Sequence, residues 1–331
     1  MKKINKKRIG ILSYDSYPFI GGQGRNLTNL VAEFSKRNEV LVFTPFKSKI
    51  SSSCQVFQLS SKIGKNLLFS ICLNFFLEKL VNRYSLNEII VQGGPGGLLL
   101  TRKPSIKLIY VANHTYYQQS KYIKSQFWKI IFYLPEKIGY QNSTKIYSIS
   151  ESTKKVLIKN YGIKDSKIIV NKPKVDRKIF FRDKKIKKNK NIVFFVGRLE
   201  KRKGVDFLLK SFLIICQKDK NLNLYIAGKG RMESWIKKFI YKKKIKKRVK
   251  ILGFISDREL NGWYNKAACV VVPSVFEGFG LTVVEALACG AWVIGTDTDG
   301  IRESIINGKN GYLCKYNDYQ DLAQKIILSS K

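Results

Sequence analysis

Two glutamates eight positions apart, Glu277 and Glu285, fall within the stretch Pro273–Gly290, PSVFEGFGLTVVEALACG. Glu277 stands directly before Gly278, Phe279 and Gly280, and Glu285 falls in the second turn of the helix predicted after them. Apolar runs, Cys269–Val272 and Ala291–Gly295, flank the stretch, which therefore reads as strand, glycine turn, helix, strand. A helix start fed by a glycine turn offers free backbone N–H groups and the positive end of a helix dipole, a setting suited to phosphate. Carboxylates repel phosphate, so the glutamates must face something else, and hydroxyl groups suit them. Eight residues of helix would separate them by about 12 Å, beyond the ~5–9.5 Å of a glycosidase acid–base pair. They read instead as two hydroxyl binders on either side of a phosphate. Arg198 and Lys203, between Gly197 and Gly204, add two positive charges beside glycine-loosened backbone. Two cations and a helix start suit a diphosphate and would stabilise it as a leaving group. No Asp-x-Asp pair stands in these loops, so a metal ion is not required to neutralise it.

Such loops need sheets to hold them. In the first half Arg8–Tyr14, Val40–Thr44, Glu88–Gln92, Ile106–Ala112 and Lys145–Ser150 read as strands, with helices such as Glu151–Tyr161 between them. Ile192–Val196, Leu222–Ala227 and Val249–Leu252 repeat the pattern in the second half. This predicts an α/β chain of two Rossmann-like, doubly wound domains facing each other across a cleft at the carboxyl ends of their strands. The expected boundaries are 1–175 for the first domain, 176–190 for a solvated basic linker, and 191–331 for the second domain. Gly21, Gly22 and Gly24 follow the first strand without forming GxGxxG. The second strand ends Thr44-Pro45 with no acid to hold a ribose, which disfavours a dinucleotide oxidoreductase. His114, the one histidine, sits just past a strand's carboxyl end, where doubly wound folds keep ligand groups.

Two segments are apolar beyond this pattern. Asn66–Val81 is too short to span a bilayer and reads as a buried helix. Lys121–Tyr140 mixes Tyr122, Phe127, Trp128, Ile131 and Phe132 with Lys121, Lys124, Lys129 and Lys137. It reads as one basic amphipathic helix, packed on the sheet with its lysines in water or docked on anionic lipid.

The 331 residues suit two domains of about 150 each. Lys plus Arg number 62 against 23 acids, a net charge of +39, which favours nucleic acid, a membrane surface or a phosphorylated substrate as partner. A lysine-rich codon bias is the plainer source of part of that excess. The lysines are spread widely and no recognised nucleic-acid motif occurs, so nucleic acid is not an expected partner. Six cysteines form no CxxC pair, and Cys216 and Cys269, inside apolar runs, read as buried thiols of a reducing compartment. The opening MKKINKKRIGIL is cut short as a signal peptide by Ser13, Tyr14, Asp15 and Ser16, and no window reaches the ~18 apolar residues of a membrane span. A cytoplasmic location is expected, free or attached to a membrane face.

Taken together, Gly197-Arg198-Leu199 with Lys203-Gly204, Ala227-Gly228-x-Gly230, Pro273-Ser274 and Glu277-Gly-Phe-Gly280 with Glu285 resemble the family-4 (group 1) glycosyltransferases. These are retaining, nucleotide-sugar-dependent enzymes of GT-B fold. The resemblance covers nearly the whole chain and is strongest from Asn191 to Leu313. It implies that Arg198 and Lys203 hold the donor diphosphate, that Glu277 hydrogen-bonds the donor sugar, and that Glu285 binds the ribose hydroxyls. Phe279, Gly280, Leu281 and Thr282 would line the phosphate and sugar, with Gly228, Gly253 and Phe254 completing the donor side. Gly21 and Gly22 would approach the phosphate from the first domain, and His114 would face the reacting sugar. Catalysis is thereby assigned to Glu277, Arg198, Lys203 and His114, by front-face substitution without a protein nucleophile, a cofactor or a metal. The partners implied are a nucleotide-sugar donor and a glycan or lipid-linked glycan acceptor of the cell envelope. The enzyme would work in the cytoplasm or on the inner face of its membrane. Two departures stand out: the family's final helical stretch back to the first domain would lie after Lys331, and Asn171–Asp176 lacks the glycine usual before Val-Asp. A GT-B sugar-nucleotide epimerase and a basic nucleic-acid-binding protein remain alternative readings.

Overall fold

The computed structural model describes residues 6–16, 22–48, 50–59 and 66–330. The chain divides into two compact units, Met1–Lys174 and Val175–Lys331. Gly21 and residues 17–20 before it lie outside the described residues.

The first unit runs β1 (Arg8–Leu12), α1 (Gly22–Phe34), β2 (Glu39–Thr44), β3 (Cys54–Gln58), α2 (Asn66–Arg83), β4 (Glu88–Gly93) and β5 (Lys107–Ala112). It continues with α3 (Tyr116–Tyr122), a 3-10 stretch Lys124–Phe132, α4 (Tyr133–Asn142), β6 (Lys145–Ser148), α5 (Glu151–Tyr161) and β7 (Ile168–Val170). Its strands lie in the order β3-β2-β1-β4-β5-β6-β7, all parallel. Helices cover such a sheet on both faces, so its inner strands are shielded throughout: every residue of β4 is buried, Glu88 and Gln92 included. Phe69, Leu73 and Leu77 of α2, Tyr140 of α4 and Leu157 and Tyr161 of α5 share one core cluster, which places these helices on the same face.

Three expectations change here. The segment 121–140 is not one helix: the backbone breaks at Gln126 (φ −118°), and α4 restarts with Pro135 in its first turn, where a missing N–H costs nothing. The helix at Asn66 exists but is not buried all round, because Leu67, Leu68, Ile71, Phe75 and Phe76 are exposed. The segment 176–188 is no free linker. Phe180 is buried in the second unit's core, and the helix Asp257–Lys266 straps the chain beside it: Asn261 Oδ1 accepts from Phe181 N at 3.1 Å, and Asn265 Oδ1 from Asp183 N at 2.8 Å.

The second unit runs β8 (Asn189–Val196), α6 (Val205–Lys218), β9 (Asn223–Ala227), α7 (Glu233–Lys242), β10 (Val249–Gly253), α8 (Asp257–Lys266) and β11 (Ala267–Val272). It closes with α9 (Leu281–Ala288), β12 (Trp292–Thr296), α10 (Asp299–Arg302), β13 (Gly311–Cys314) and α11 (Tyr319–Ser329). The order β10-β9-β8-β11-β12-β13, again all parallel, reverses between β8 and β11. Ser256 opens α8 with a capping box, its Oγ accepting from Glu259 N while the Glu259 carboxylate accepts from Ser256 N. Cys269 is buried as expected, but Cys216 on α6 is only half-buried, since α6 turns that position toward its rim.

Candidate active site

In an open parallel sheet, the loops leaving the two strands at the order reversal splay apart and open a crevice for a ligand. In the second unit those strands are β8 and β11. The loop after β8 carries Arg198, Arg202 and Lys203; the loop after β11 carries Glu277 and leads into α9. The sequence motifs therefore sit at the one place in this sheet that topology reserves for a ligand.

Glycines let these loops close on one another. Gly204 has φ +68°, and a Cβ there would lie 1.9 Å from Pro273 O, tying the β8 loop to the end of β11. Gly228 has φ +126°, and its Cβ would meet Gly197 O at 1.9 Å, while its N–H donates to Gly253 O at 2.6 Å. Gly228 and Gly253 thus stack the loops after β8, β9 and β10 backbone to backbone. Phe254 beyond them is 77 % exposed. Alanine at Gly204 combines a strained left-handed φ with a backbone clash and should cost about 2–3 kcal/mol, lowering the melting temperature by about 5–10 °C. An unchanged melting temperature would show that the loop does not approach Pro273 so closely.

Glu277 is the electrostatic centre of the site. Its carboxylate accepts from Lys203 Nζ, from Ser274 Oγ at 2.8 Å and from Arg202 Nη1 at 3.4 Å. Arg202 is fixed in turn by donating from Nη1 to Phe276 O at 2.9 Å. Burial works against ionisation of Glu277, but Lys203 and Arg202 outweigh it and hold the carboxyl well below the usual range. Nothing in the sequence marks Arg202 for this position. In Lys201-Arg202-Lys203 it looks like one more solvated cation, and only the 3-10 turn over those residues aims it inward. Arg198, by contrast, lies at the surface, 3.3 Å from Glu200 Oε1.

Gly280, at φ +84°, starts α9 without any side-chain cap. The first-turn amides of Leu281 and Thr282 are thus presented at the same loop as Glu277. Gly300 packs against the turn, donating from N to Glu277 O at 3.1 Å, and a Cβ there would lie 2.5 Å from Phe279 N and Cα. Glu285, in the second turn, is buried and accepts from Tyr264 Oη at 3.1 Å. Tyr264 is a second partner that sequence did not announce, because it arrives from α8. An Asp-x-Asp does occur close by, Asp297 and Asp299 after β12, where Asp297 pairs with Arg302.

In the first unit, β1 and β4 flank the corresponding reversal. Gly22 opens α1 after β1, and Gly24 N donates to Asp15 Oδ2 at 2.9 Å. His114 follows β5. A Cβ on Gly94 (φ +86°) would lie 2.2 Å from His114 O, so the loop after β4 nests on the histidine backbone. Asn26 of α1 reaches the same edge, donating to Asn113 Oδ1 at 3.0 Å. Beyond His114, Tyr116 N donates to Glu136 Oε2 at 2.9 Å. Glu136 is fully buried and also accepts from Tyr140 Oη at 3.1 Å and from Tyr161 Oη. Burial raises its pKa to about 8 against those hydrogen bonds.

The pattern described as glycosyl transferases group 1 matches residues 176–330, and that described as glycosyltransferase family 4 matches residues 20–178. The chain belongs to the group 1 glycosyltransferases. An uncharacterized glycosyltransferase of Methanocaldococcus jannaschii is 28 % identical over 327 residues, covering 94 % of this glycosyltransferase and 85 % of that protein. A sucrose-phosphate synthase of Thermosynechococcus elongatus shares the fold with a TM-score of 0.79 at 19 % identity, over 97 % of this chain and 89 % of that one. An Anabaena protein in complex with UDP-glucose superposes with a TM-score of 0.73 at 16 % identity, over 96 % and 88 %. The architecture of this glycosyltransferase is therefore GT-B.

Proposed function

We propose that the protein transfers a sugar, with retention and without a metal, from a nucleoside-diphosphate donor to a glycan or lipid-linked glycan acceptor of the cell envelope, working in the cytoplasm. One observation carries this reading: Lys203, Arg202 and Glu277 converge beside the uncapped start of α9, with Glu285 one turn further along. The order of groups, carboxylate, cations with helix start, carboxylate, matches sugar, diphosphate, ribose. The Anabaena relative, solved with UDP-glucose, is a precedent for such a donor on this fold.

The Lys203–Glu277 pair is then a resting arrangement. An arriving diphosphate draws Lys203 and Arg202, and Arg198 swings in from the surface. Glu277, freed from Lys203, turns its oxygens to a sugar hydroxyl, while Tyr264 keeps Glu285 aligned for the ribose. In the transfer step the bond from the anomeric carbon to the diphosphate oxygen breaks. The acceptor oxygen bonds to the same face, and its proton passes to the departing diphosphate. Charge growing on that diphosphate is met by the cations and the α9 amides, which supply what a metal would otherwise supply. Gly22 and His114 are assigned to the phosphate and the reacting sugar by the family resemblance.

The decisive experiment screens the protein by thermal shift against a nucleotide-sugar panel in EDTA, followed by product analysis with the donor that binds. One donor is expected to raise the melting temperature by mass action, and the product should keep the donor's anomeric configuration. Arg198→Ala should weaken turnover without altering the fold. No donor shift anywhere in the panel, or an inverted product, would sink the reading.

A further inference from the structure

One face of the first unit is dressed in apolar side chains. Along the 3-10 stretch and α4, Phe127, Trp128, Ile131, Leu134 and Ile138 are 68, 56, 65, 64 and 44 % exposed. On α4, Leu134 and Ile138 stand one turn apart, and with Phe127, Trp128 and Ile131 of the 3-10 stretch they stay outside the core that Glu136 and Tyr140 enter. α2 adds Leu67, Leu68, Ile71, Phe75 and Phe76. Asn74 of α2 and Asn142 of α4 hold the same connection between β4 and β5, donating to Leu99 O at 2.9 Å and Thr101 O at 2.6 Å. The two apolar ridges therefore flank one loop on one face of the sheet. Scattered exposed apolar residues are normal on a protein in water, but two neighbouring ridges of them mark an interaction surface.

Charge decides what covers it. The only acids in 66–83 and 124–142 are Glu78 and Glu136. Neither stands free on the ridges: Glu78, half-buried, accepts from Ser105 N at 2.9 Å and Ser105 Oγ at 2.8 Å, and Glu136 is buried among tyrosines. Cations rim the ridges. Lys79 lies over Phe76, Lys121 over Tyr122 and Lys129 over Trp128, at 5.6 to 5.9 Å from the ring centroids. A second copy would bring the same cations on a chain of net charge +39, so pairing of like faces is opposed. A bilayer with anionic headgroups supplies both the apolar medium and the opposite charge.

We propose that this face docks the first unit on an anionic phospholipid membrane. Phe127, Trp128, Ile131 and Leu134 enter the boundary between headgroups and acyl chains, and Lys79, Lys121, Lys129 and Lys137 meet the phosphates. Lysine stems lying along aromatic rings suit that boundary, with the apolar part sunk and the ammonium in water. No helix among the described residues is long and apolar enough to cross a membrane, so this docking is in the plane of the surface.

The test is sedimentation of the full chain with vesicles of phosphatidylglycerol and phosphatidylcholine, compared with phosphatidylcholine alone. Binding to the anionic vesicles should exceed binding to the neutral ones at least tenfold, and should weaken as salt rises from about 50 to about 500 mM. The double substitution Trp128→Ser with Ile131→Ser should lower that binding at least about tenfold, with the melting temperature unchanged. Acyl-chain bromines should quench wild-type tryptophan fluorescence and quench Trp128→Phe far less. Equal binding to both vesicle types, or undiminished binding by the double variant, would overturn the proposal. So would a lipid-free dimer that the double substitution dissolves, which would make this a self-association face. Vesicle binding needs no donor, so failure of docking and failure of the transfer reading are told apart.

Discussion

Alanine at Glu277 should lower kcat/KM at least about a hundredfold and also destabilise the second unit. The catalytic loss follows from the role proposed for the carboxylate, since removing one aligned hydrogen-bonding group from a transition state typically costs about 10²–10³ in rate. The stability loss has a separate origin. Lys203 is left without its partner in a site where the pair's side chains are only 19 % and 12 % exposed. Breaking such a pair costs about 3 kcal/mol, the lower part of the usual range, because some solvent remains. Glu277→Gln separates the two effects: it keeps the shape and the Ser274 hydrogen bond but removes the charge. The wild-type advantage over Glu277→Gln should be full above the ordinary carboxylate pKa and shrink as acid protonates the folded state's depressed carboxyl. Melting curves at several pH values measure the second effect and steady-state kinetics the first. Full transfer activity in Glu277→Ala would remove the residue from the site.

The second large effect belongs to Glu136, where the sign is opposite. Its folded pKa, raised by burial to about 8, lies above that of a carboxyl in the unfolded chain. The folded state therefore holds a proton that the unfolded state has lost. Its stabilisation is full below the unfolded pKa and declines as pH rises to about 8, at roughly 1.4 kcal/mol per pH unit. Glu136→Gln presents a neutral acceptor and donor at all pH values, so the difference in stability between wild type and variant should slope with pH across that window and flatten above it. Chemical denaturation at pH 5, 6, 7 and 8 reads that slope. A difference independent of pH would show that Glu136 is already ionised in the folded protein. Because Glu136 also receives the Tyr116 amide, two residues after His114, Glu136→Ala should loosen the start of α3 as well.

The meeting of Lys203 and Glu277 at the start of α9 was legible because a glycine turn, two carboxylates and nearby cations are rare in combination, whereas Arg198 was expected beside them and lies at the surface instead. Gly204 and Gly228 were legible as glycines, though not the carbonyl oxygens of Pro273 and Gly197 that demand them. Other features depend on distant parts of the chain. Arg202 is indistinguishable from its neighbours until the 3-10 turn selects it. Tyr264 meets Glu285 only because α8 and α9 pack together. β3 and β7 escaped notice because they are edge strands, half exposed and short, without the continuous apolar run of an inner strand. The unpartnered face of α2 was hidden for the opposite reason. Asn66–Val81 is apolar on nearly every side, so periodicity could not say which side meets the core.

Apart from the extra edge strand β7 of the first, the two sheets share one strand order, and in each the pair at the reversal joins segments far apart in the chain: Ile9 with Glu88, and Val193 with Cys269. Neighbouring pairs such as β1–β2 and β8–β9 close over much shorter loops. Loop closure must precede any contact that rewards it, so each unit should assemble its β1- or β8-side lobe early and join the halves of its sheet last. On the ribosome, every strand of the first sheet has been made by Val170, before the second sheet's first strand starts at Asn189, so the first unit can fold while most of the second is still to be synthesised. The second unit must wait for Ala267–Val272 before its central strand gains its other neighbour. During that interval β8 is an open apolar edge, as β1 is until Glu88–Gly93 is made, and at these stages of biogenesis the chain needs shielding from its own kind.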